Sequence, residues 1–329
     1  MFRCILWGPD GKNYIDKGSI FVYNLIGFLI TVIEFIIILS KGFKYMDHDI
    51  LLVAETGSDI PEALAEELGI TLVPMHVNMG SQTLDDGTFP PEDVCVWYDR
   101  TGTVPTTSGS TPYDFETVFD RLHRNHPDKK ILHLAYSAVT TCSYHSALLA
   151  AEGRDYVKSV DTRHVSVGQC AVVAAMAQWL KTHPKVSLED AAEAAETISR
   201  QTRMCFLPRN LDYLRAGGRV SNAVALVGNL LHLHPLIEIM DGRLMAGKKY
   251  RGNMEKVLPA VIREFTARET ICHDHVWLIQ GPRFEDSLVR TVEETLKDLG
   301  FHHYTWMPTG CVITCHGGPG AFGIVGTAK

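Results

Sequence analysis

The sequence predicts an α/β fold, in which a three-layer α/β/α domain with a parallel sheet is followed by a smaller α+β domain with a mixed sheet. Three observations support this prediction. Short apolar runs alternate with helical stretches from Met46 to about residue 203. Beyond that point the strands become shorter and a hairpin pattern appears. The 329 residues, 46% of them apolar, are enough to form two domains of ordinary size.

The first domain, residues 46–203, opens with a strand and a helix. Residues 50–54 form a short apolar run, which is typical of a buried parallel strand. Pro61 suits the first turn of a helix over residues 62–68, and Gly69 suits the position just after it. The same patterns predict further strands at 70–77, 131–135 and 156–160, and helices at 143–152, 167–181 and 187–202.

The second domain, residues 204–329, has a different order of predicted elements, with shorter strands and fewer helices between them. Asp241-Gly242 lies between two apolar runs and indicates a hairpin. We place the domain boundary near Arg203, although no flexible linker marks it. The predicted strands are 235–240, 244–248, 275–280, 304–307 and 312–314, and the predicted helices are 253–268 and 285–299.

Residues 1–45 do not match the rest of the chain. Residues 20–39 are nearly all apolar and are long enough to span a bilayer, although Asn24 and Glu34 interrupt them. Three interpretations stay open: a membrane anchor, a hydrophobic extension, or translated upstream sequence that is not native. Because a short polar lead and a buried strand follow Met46, we expect a cytoplasmic protein whose fold excludes residues 1–45. The alternative is a protein anchored in the membrane through residues 20–39.

The composition excludes several classes of protein. A net charge of −7 argues against a nucleic-acid-binding protein, which usually carries a basic patch. The eight cysteines include no C-x-x-C pair, so we expect reduced thiols and no disulfide scaffold. Cys311 and Cys315 lie in a predicted strand, about 13 Å apart, which is too far to share a zinc ion. The run from Cys272 to His275 is predicted to be a polar loop, and we expect no metal site.

Hydroxyl side chains are concentrated in two segments next to predicted helices. Thr106, Thr107, Ser108 and Ser110 precede a helix start of capping-box type at Thr111. The second segment runs from Ser137 to Ser143, after the strand at 131–135. Two interpretations stay open: plain polar turns, or a site for a carboxylate or phosphate, which helix N-termini and hydroxyls stabilise. No Walker, dinucleotide-binding or G-x-S-x-G motif is present.

A glycine-rich segment near the C-terminus, Thr314-Cys-His-Gly-Gly-Pro-Gly-Ala-Phe-Gly323, is predicted to form a tight loop. His316 is expected to follow a strand there and to face a ligand. Two arginines also lie beside glycine, Arg219 after Gly218 and Arg251 before Gly252.

The glycine-rich C-terminal run is one of several segments that together form a recognisable series. They are ETGSDIP at 55–61, LGITLVPMHV at 68–77, PTTSGSTPYDF at 105–115, SYHSALLAAE at 143–152, DTRHVSVG at 161–168, LDYLRAGGRVS at 211–221, KKYRG at 248–252 and HGGPGAFG at 316–323. In this order and spacing, the chain resembles the DegV family of fatty-acid-binding proteins over about residues 46–326. The chain departs from the family pattern at Glu55-Thr56-Gly57, at Ala138, where a second serine is usual, and at His234-Pro235.

The resemblance implies a two-domain protein with one long-chain fatty acid between the domains. It implies that the protein has no catalytic residue and no cofactor of its own, and that it presents the acid to a separate ATP-binding fatty acid kinase subunit. It also leaves room for a transient contact with a membrane surface. The residues implied to face the carboxylate are Thr106, Thr107, Ser108, Ser137 and His316, and Arg219 and Arg251 are implied to face a phosphate or the partner. An alternative is a hydrolase of acyl esters that uses His316 with Ser108 or Ser137.

Overall fold

The computed structural model describes residues 6–7, 13–14, 48–209, 211–220 and 233–329. The chain divides into two compact units, Met1–Asp47 and His48–Lys329. In the first unit, two short strands, Leu6–Trp7 and Asn13–Tyr14, pair antiparallel. The apolar segment 20–39 lies outside the described residues. Among the helices that are described, none combines the length and the apolar character needed to cross a membrane.

The described elements alternate between strands and helices along most of the chain. In chain order they are β1 (Leu6–Trp7), β2 (Asn13–Tyr14), β3 (Ile50–Glu55), a 3₁₀ turn (Thr56–Ser58), α1 (Glu62–Leu68), β4 (Ile70–Val73), β5 (His76–Met79), β6 (Gln82–Asp85), α2 (Glu92–Thr101), β7 (Thr106–Ser108), α3 (Pro112–Asn125), β8 (Lys130–Ala135), α4 (Ser143–Ala151), β9 (Val157–Asp161), α5 (Ser166–Thr182), α6 (Leu188–Gln201), β10 (Thr202–Leu207), α7 (Leu211–Gly217), β11 (Leu233–Met240), β12 (Arg243–Arg251), α8 (Met254–Arg268), β13 (Ile271–Gln280), α9 (Asp286–Asp298), β14 (Tyr304–Pro308), α10 (Cys311–Gly317) and β15 (Phe322–Ala328).

The N-terminal half of the second unit is built on a four-stranded parallel sheet, as predicted. Its strand order is β4-β3-β8-β9. Leu51 and Val53 alternate onto one face, where Phe115 and Phe119 of α3 and Ala147 of α4 cover them. Helix α3 begins at Thr111 with the predicted capping box. Helices α5 and α6 pack on β3, β8 and β9, so helices lie on both faces of the sheet.

A small antiparallel sheet, β6-β5-β7, lies beside the parallel one. It corrects two predictions. Residues 70–77 are not one strand, because the chain leaves the parallel sheet at Pro74, which has no N–H to donate. Residues 106–108 are not a loop, because Thr107 pairs with Val77 in a strand.

The C-terminal half is built on a mixed six-stranded sheet in the order β12-β11-β10-β15-β13-β14. Its ladders are antiparallel except that between β13 and β14. Helices α8 and α9 cover one face through residues such as Phe265 and Val292. Helix α5 packs against β10, β13 and β15 as well as against β3 and β8. It therefore lies between the two sheets, which explains why small and apolar residues occupy so much of its surface.

Two predictions in the C-terminal half are wrong. The residues 312–314 form part of helix α10 and not a strand, so His316 lies inside a helix and does not follow a strand. The run from Cys272 to His275 is not a loop, because β13 already begins at Ile271 and passes through a register shift before Val276. In the part of the chain that the structure describes, no group of three or more potential ligands could hold a metal ion.

Candidate functional site

The main candidate site is an apolar pocket of about 780 Å³, part of it open to solvent. Both halves of the second unit line it. Apolar residues of the C-terminal sheet form much of its wall, among them Met204 and Phe206 on β10, Ile279 on β13 and Phe322 on β15. Since β-strand side chains alternate between faces, Met204 and Phe206 point to the pocket, whereas Cys205 and Leu207 belong to the core beneath α8 and α9.

The pocket also has a group of polar side chains. Thr107 Oγ1 and His316 Nε2 lie 2.8 Å apart, which joins β7 to α10 across 209 residues of sequence. Gly217 lets the histidine ring approach the backbone, since a Cβ there would lie 2.2 Å from His316 Nδ1. Further polar residues line the same pocket: Ser108, Thr140, Thr141, Ser166, Thr309 and Arg219.

His316 is a neutral side chain in this setting. Burial, together with the nearby positive charge of Arg219, lowers the pKa of His316 to about 4. The ring therefore carries one proton at neutral pH, and it can donate from one nitrogen while accepting at the other. Arg219 Nη1 donates to the Gly217 carbonyl at 2.6 Å, so the guanidinium is held on the loop that packs against the ring.

The structure brings together part of the site that the sequence predicted. Thr107, Ser108 and His316 line the pocket, and Arg219 lines it with them. Thr106 lies on the same strand as Thr107 but is exposed and does not line the pocket.

Two of the predicted residues lie elsewhere. Ser137 is fully buried, and its hydroxyl donates to the Gly242 carbonyl at 2.8 Å instead of facing the pocket. Arg251 is exposed at the end of β12 and lies outside the pocket lining.

Sequence reasoning missed several pocket residues. Thr140 and Thr141 belong to the hydroxyl-rich segment after β8, which was recognised although these two were not singled out. Ser166 begins α5 with a φ of 50° and lies within the DTRHVSVG segment. Thr309 carried no feature in the sequence that set it apart.

Helix α10, which carries His316, is held by two carboxylates from the N-terminal half. Asp59 Oδ1 accepts from the Gly310 N–H at 2.6 Å, and Asp86 Oδ1 accepts from the Cys311 N–H at 2.8 Å. Gly310 leaves room for both, since a Cβ there would lie 3.2 Å from each carboxylate. Asp59 also accepts a hydrogen bond from the pocket residue Ser166. These bonds fix two walls of the pocket relative to each other.

Burial of Asp59 and Asp86 disfavours their charged forms. Burial raises the pKa of Asp59 well above its usual range, although its hydrogen bonds to Ser166 and Gly310 act in the opposite direction. Burial likewise raises the pKa of Asp86, and the backbone N–H groups of α10 oppose this. A buried carboxylate is tolerated when donors surround it, so the position of α10 depends on both bonds.

The polar group contains hydrogen-bond donors of the kind that hold an anion. Hydroxyls and a neutral imidazole can donate to a carboxylate at the edge of an apolar pocket. The alternative predicted from the sequence, a hydrolase, would need Ser108 or Ser137 bonded to the histidine and an acid behind it. Among the described residues, His316 instead bonds to Thr107. Ser137 bonds to a backbone carbonyl, and no carboxylate bonds to His316.

The architecture is that of an α/β protein whose two sheets flank an apolar pocket with a hydroxyl-lined polar end. The chain matches the model of the family described as "Uncharacterised protein, DegV family" over residues 49–329. It therefore belongs to the DegV family, as the sequence resemblance implied.

Individual relatives agree with this assignment. A DegV domain-containing protein of Deinococcus radiodurans is 31% identical over 282 residues, which cover 84% of this chain and 97% of that protein. A DegV family protein from Thermus thermophilus, described by its fatty acid binding, is 27% identical, with a TM-score of 0.76 over 85% of this chain and 100% of that one. A DegV lipid-binding protein from Thermotoga maritima is 25% identical, with a TM-score of 0.70 and the same coverage.

Proposed function

We propose that the protein binds one long-chain fatty acid in the apolar pocket and presents its carboxylate to a separate ATP-dependent kinase subunit. The observation that carries this proposal is the pairing of Thr107 and His316, 2.8 Å apart, at the polar end of an otherwise apolar pocket. The relative from Thermus thermophilus is described as binding fatty acid, which supports the choice of ligand.

The acyl chain supplies most of the affinity in this proposal. Each methylene that leaves water contributes about 0.8 kcal/mol, so an acid with ~14 of them gains on the order of 11 kcal/mol before the costs of association. Side chains such as Phe206, Ile279 and Phe322 provide the apolar surface that such a chain needs.

The carboxylate is held by neutral donors and lies near one positive charge. Thr107 and Ser108 donate from their hydroxyls, and His316 donates from Nε2 or orients the Thr107 hydroxyl, depending on its tautomer. Thr106 and Ser137 do not contact the carboxylate directly in this proposal. Thr106 is exposed on its strand, and the Ser137 hydroxyl donates to the Gly242 carbonyl.

The reaction itself takes place on the partner. A carboxylate oxygen attacks the γ-phosphorus of ATP, the bond to the β,γ-bridging oxygen breaks, and acyl phosphate and ADP leave. Arg219, exposed and in the pocket lining, offsets the charge that develops on the transferred group. Arg251 on the exposed end of β12 contacts the acidic surface of the partner.

Three further parts of the proposal concern the closing of the domains, the cellular location and the source of the lipid. Residues 46–203 and 204–329 act as two domains that close around the lipid, which agrees with a pocket lined from both. We place the protein in the cytoplasm, where the seven free cysteines of the described chain stay reduced. Transfer of the acid from a bilayer takes place through a transient contact with the membrane surface.

The test is mass spectrometry of the organic extract from the purified full chain, together with uptake of added palmitate or oleate. We expect a long-chain acid in the extract in a ratio close to one per chain. An extract without acyl species, from a protein that also takes up neither acid, contradicts the proposal. Presentation of the acid to the kinase is tested separately. The loaded protein is mixed with ATP and an ATP-dependent fatty acid kinase subunit, and the formation of acyl phosphate is measured.

A further inference from the structure

A second cavity, called the cleft below, lies on the far side of the pocket wall. It encloses about 1200 Å³, including space open to solvent, between the end of α6, the start of β10 and the turn that joins β11 to β12. Its lining is mixed. Arg163, Arg268 and Glu269 provide charge, whereas Met240 and Phe265 provide apolar surface.

Among the residues that the structure describes, Met204 is the one that lines both cavities. Two other segments pass the same boundary with neighbouring residues on opposite sides. Val165 lines the pocket, and His164 lines the cleft. Leu244 lines the pocket, and Gly242 lines the cleft. The two cavities therefore meet along these segments, with Met204 between them.

The position of Met204 along the pocket wall follows from the strand pairing of β10. On β10, Leu207 pairs with Phe322, close to the end of α10 where His316 lies, and Met204 pairs with Val325 further along. Phe206 and Met204, which both face the pocket, lie two residues apart on this strand, about 7 Å. An acyl chain that has its carboxylate at His316 and follows β10 passes Phe206 before it reaches Met204.

The Met204 side chain is closely held in place. It is 4% exposed, and a Cβ at Gly168 of α5 would lie 2.6 Å from its Sδ atom. Gly168 thus provides the space that the thioether fills. Methionine is unbranched and has several rotatable bonds, so replacing it with a shorter residue opens the wall without changing the strand.

We propose that Met204 is the partition that sets the longest acyl chain the pocket accepts. This inference rests on the proposed function, because it concerns the tail of the same ligand. With the partition present, methylenes beyond its position have no room. With it removed, they enter the cleft.

The experiment measures the affinity of the full chain for palmitate, stearate, arachidate and behenate, in the wild-type protein and in Met204→Ala. We expect wild-type affinity to stop rising or to fall after one member of the series, and Met204→Ala to shift that limit to a longer acid. Since each newly buried methylene contributes about fourfold in affinity, two of them raise the ratio of behenate to palmitate affinity by at least roughly tenfold.

Met307→Ala is the matched control. Met307 is 2% exposed on β14 of the same sheet but lines neither cavity. It should lose stability comparably and leave the chain-length profile unchanged. Met204→Val, which suits a strand, provides a second opened wall if the alanine variant fails to fold.

The outcomes separate the two claims. A wild-type protein that binds none of the acids contradicts the proposed function and with it the partition. A wild-type protein that binds palmitate, with Met204 variants that weaken every acid alike, contradicts the partition alone. A chain-length limit that shifts equally in Met307→Ala also overturns it.

Discussion

The two halves of the folded unit contribute largely different chemistry to one pocket. The N-terminal half supplies most of the hydroxyls, such as Thr107 and Ser108, from strand ends and loops. The C-terminal half supplies a sheet face of large apolar side chains, together with the polar residues His316, Thr309 and Arg219. In the proposed complex the head and the tail of the ligand contact largely different segments of the chain, which predicts that recognition of the head and burial of the tail are separable.

The largest effect on stability is expected from removing the Asp59 carboxylate, which connects the two halves. Asp59→Ala removes the acceptor for the part-buried Gly310 N–H and the buried Ser166 hydroxyl, and it leaves both donors without a partner. We expect the free energy of unfolding to fall by about 3 kcal/mol, because each buried unpaired donor costs about 1–3 kcal/mol. Chemical denaturation monitored by circular dichroism measures it.

Asp128→Ala is the control for that comparison. Asp128 is exposed in the loop before β8, so its removal should change stability by no more than about 0.5 kcal/mol. Equal unfolding midpoints for the two variants would show that the carboxylate of Asp59 does not hold the halves together.

A smaller and more selective effect is expected at the polar end. Thr107→Ala removes the hydroxyl that, in the proposed complex, donates to the ionised carboxylate, and such a bond is worth about 1.5–3 kcal/mol. Acid binding should weaken roughly ten- to a hundredfold, and binding of the matching fatty alcohol much less. Isothermal titration with palmitate and hexadecanol measures both.

Thr106→Ala is the matched control, since Thr106 lies on the same strand but is exposed and away from the pocket. It should leave both affinities unchanged. If Thr107→Ala weakens acid and alcohol equally, head and tail recognition are not separable, and the division of labour between the halves is wrong.

The smallest effect concerns pH and a histidine on the boundary between the two cavities. Burial lowers the pKa of His164 to about 4, from an unfolded value near 6.5. Between these values the unfolded chain binds a proton that the folded protein does not, so this group lowers stability as pH falls. From pH 7 to pH 5.5 its contribution amounts to about 1 kcal/mol.

The difference between wild type and His164→Gln isolates this contribution from the carboxylates. We expect the variant to lose less stability than the wild type when the pH falls over that range, by denaturant titration at each pH. Parallel pH profiles for the two proteins would mean that His164 is not buried in its neutral form.

The sequence was a good guide to the parallel-sheet half and a poorer one to the mixed-sheet half. Strand β3 is buried on both faces, and residues 50–54 therefore appear as an unbroken apolar run. Strand β8 is likewise buried from Ile131 onward, and the buried His133 interrupts its apolar residues. Val312, Ile313 and Thr314 are β-branched and locally favour a strand. The carboxylates of Asp59 and Asp86, more than two hundred residues earlier, instead accept from the backbone at the start of α10. No local pattern contains that contact.

The site shows the same limit. Thr107 and His316 could each be selected from a cluster of similar residues, but their bond depends on how two distant segments pack. Ser137 belongs to a similar cluster of hydroxyl side chains, yet its hydroxyl donates to the carbonyl of Gly242 at the tip of the hairpin. Which member of a hydroxyl cluster faces the pocket is a property of the tertiary structure, and the sequence pattern does not contain it.

The most direct test of the central claim is a crystal structure of the protein loaded with palmitate. The account predicts a carboxylate oxygen about 2.7–3.2 Å from Thr107 Oγ1 or His316 Nε2, and an acyl chain that passes Phe206 and ends against Met204. An acid bound in reverse, or bound outside the pocket with Thr107 and His316 still bonded to each other, would contradict it.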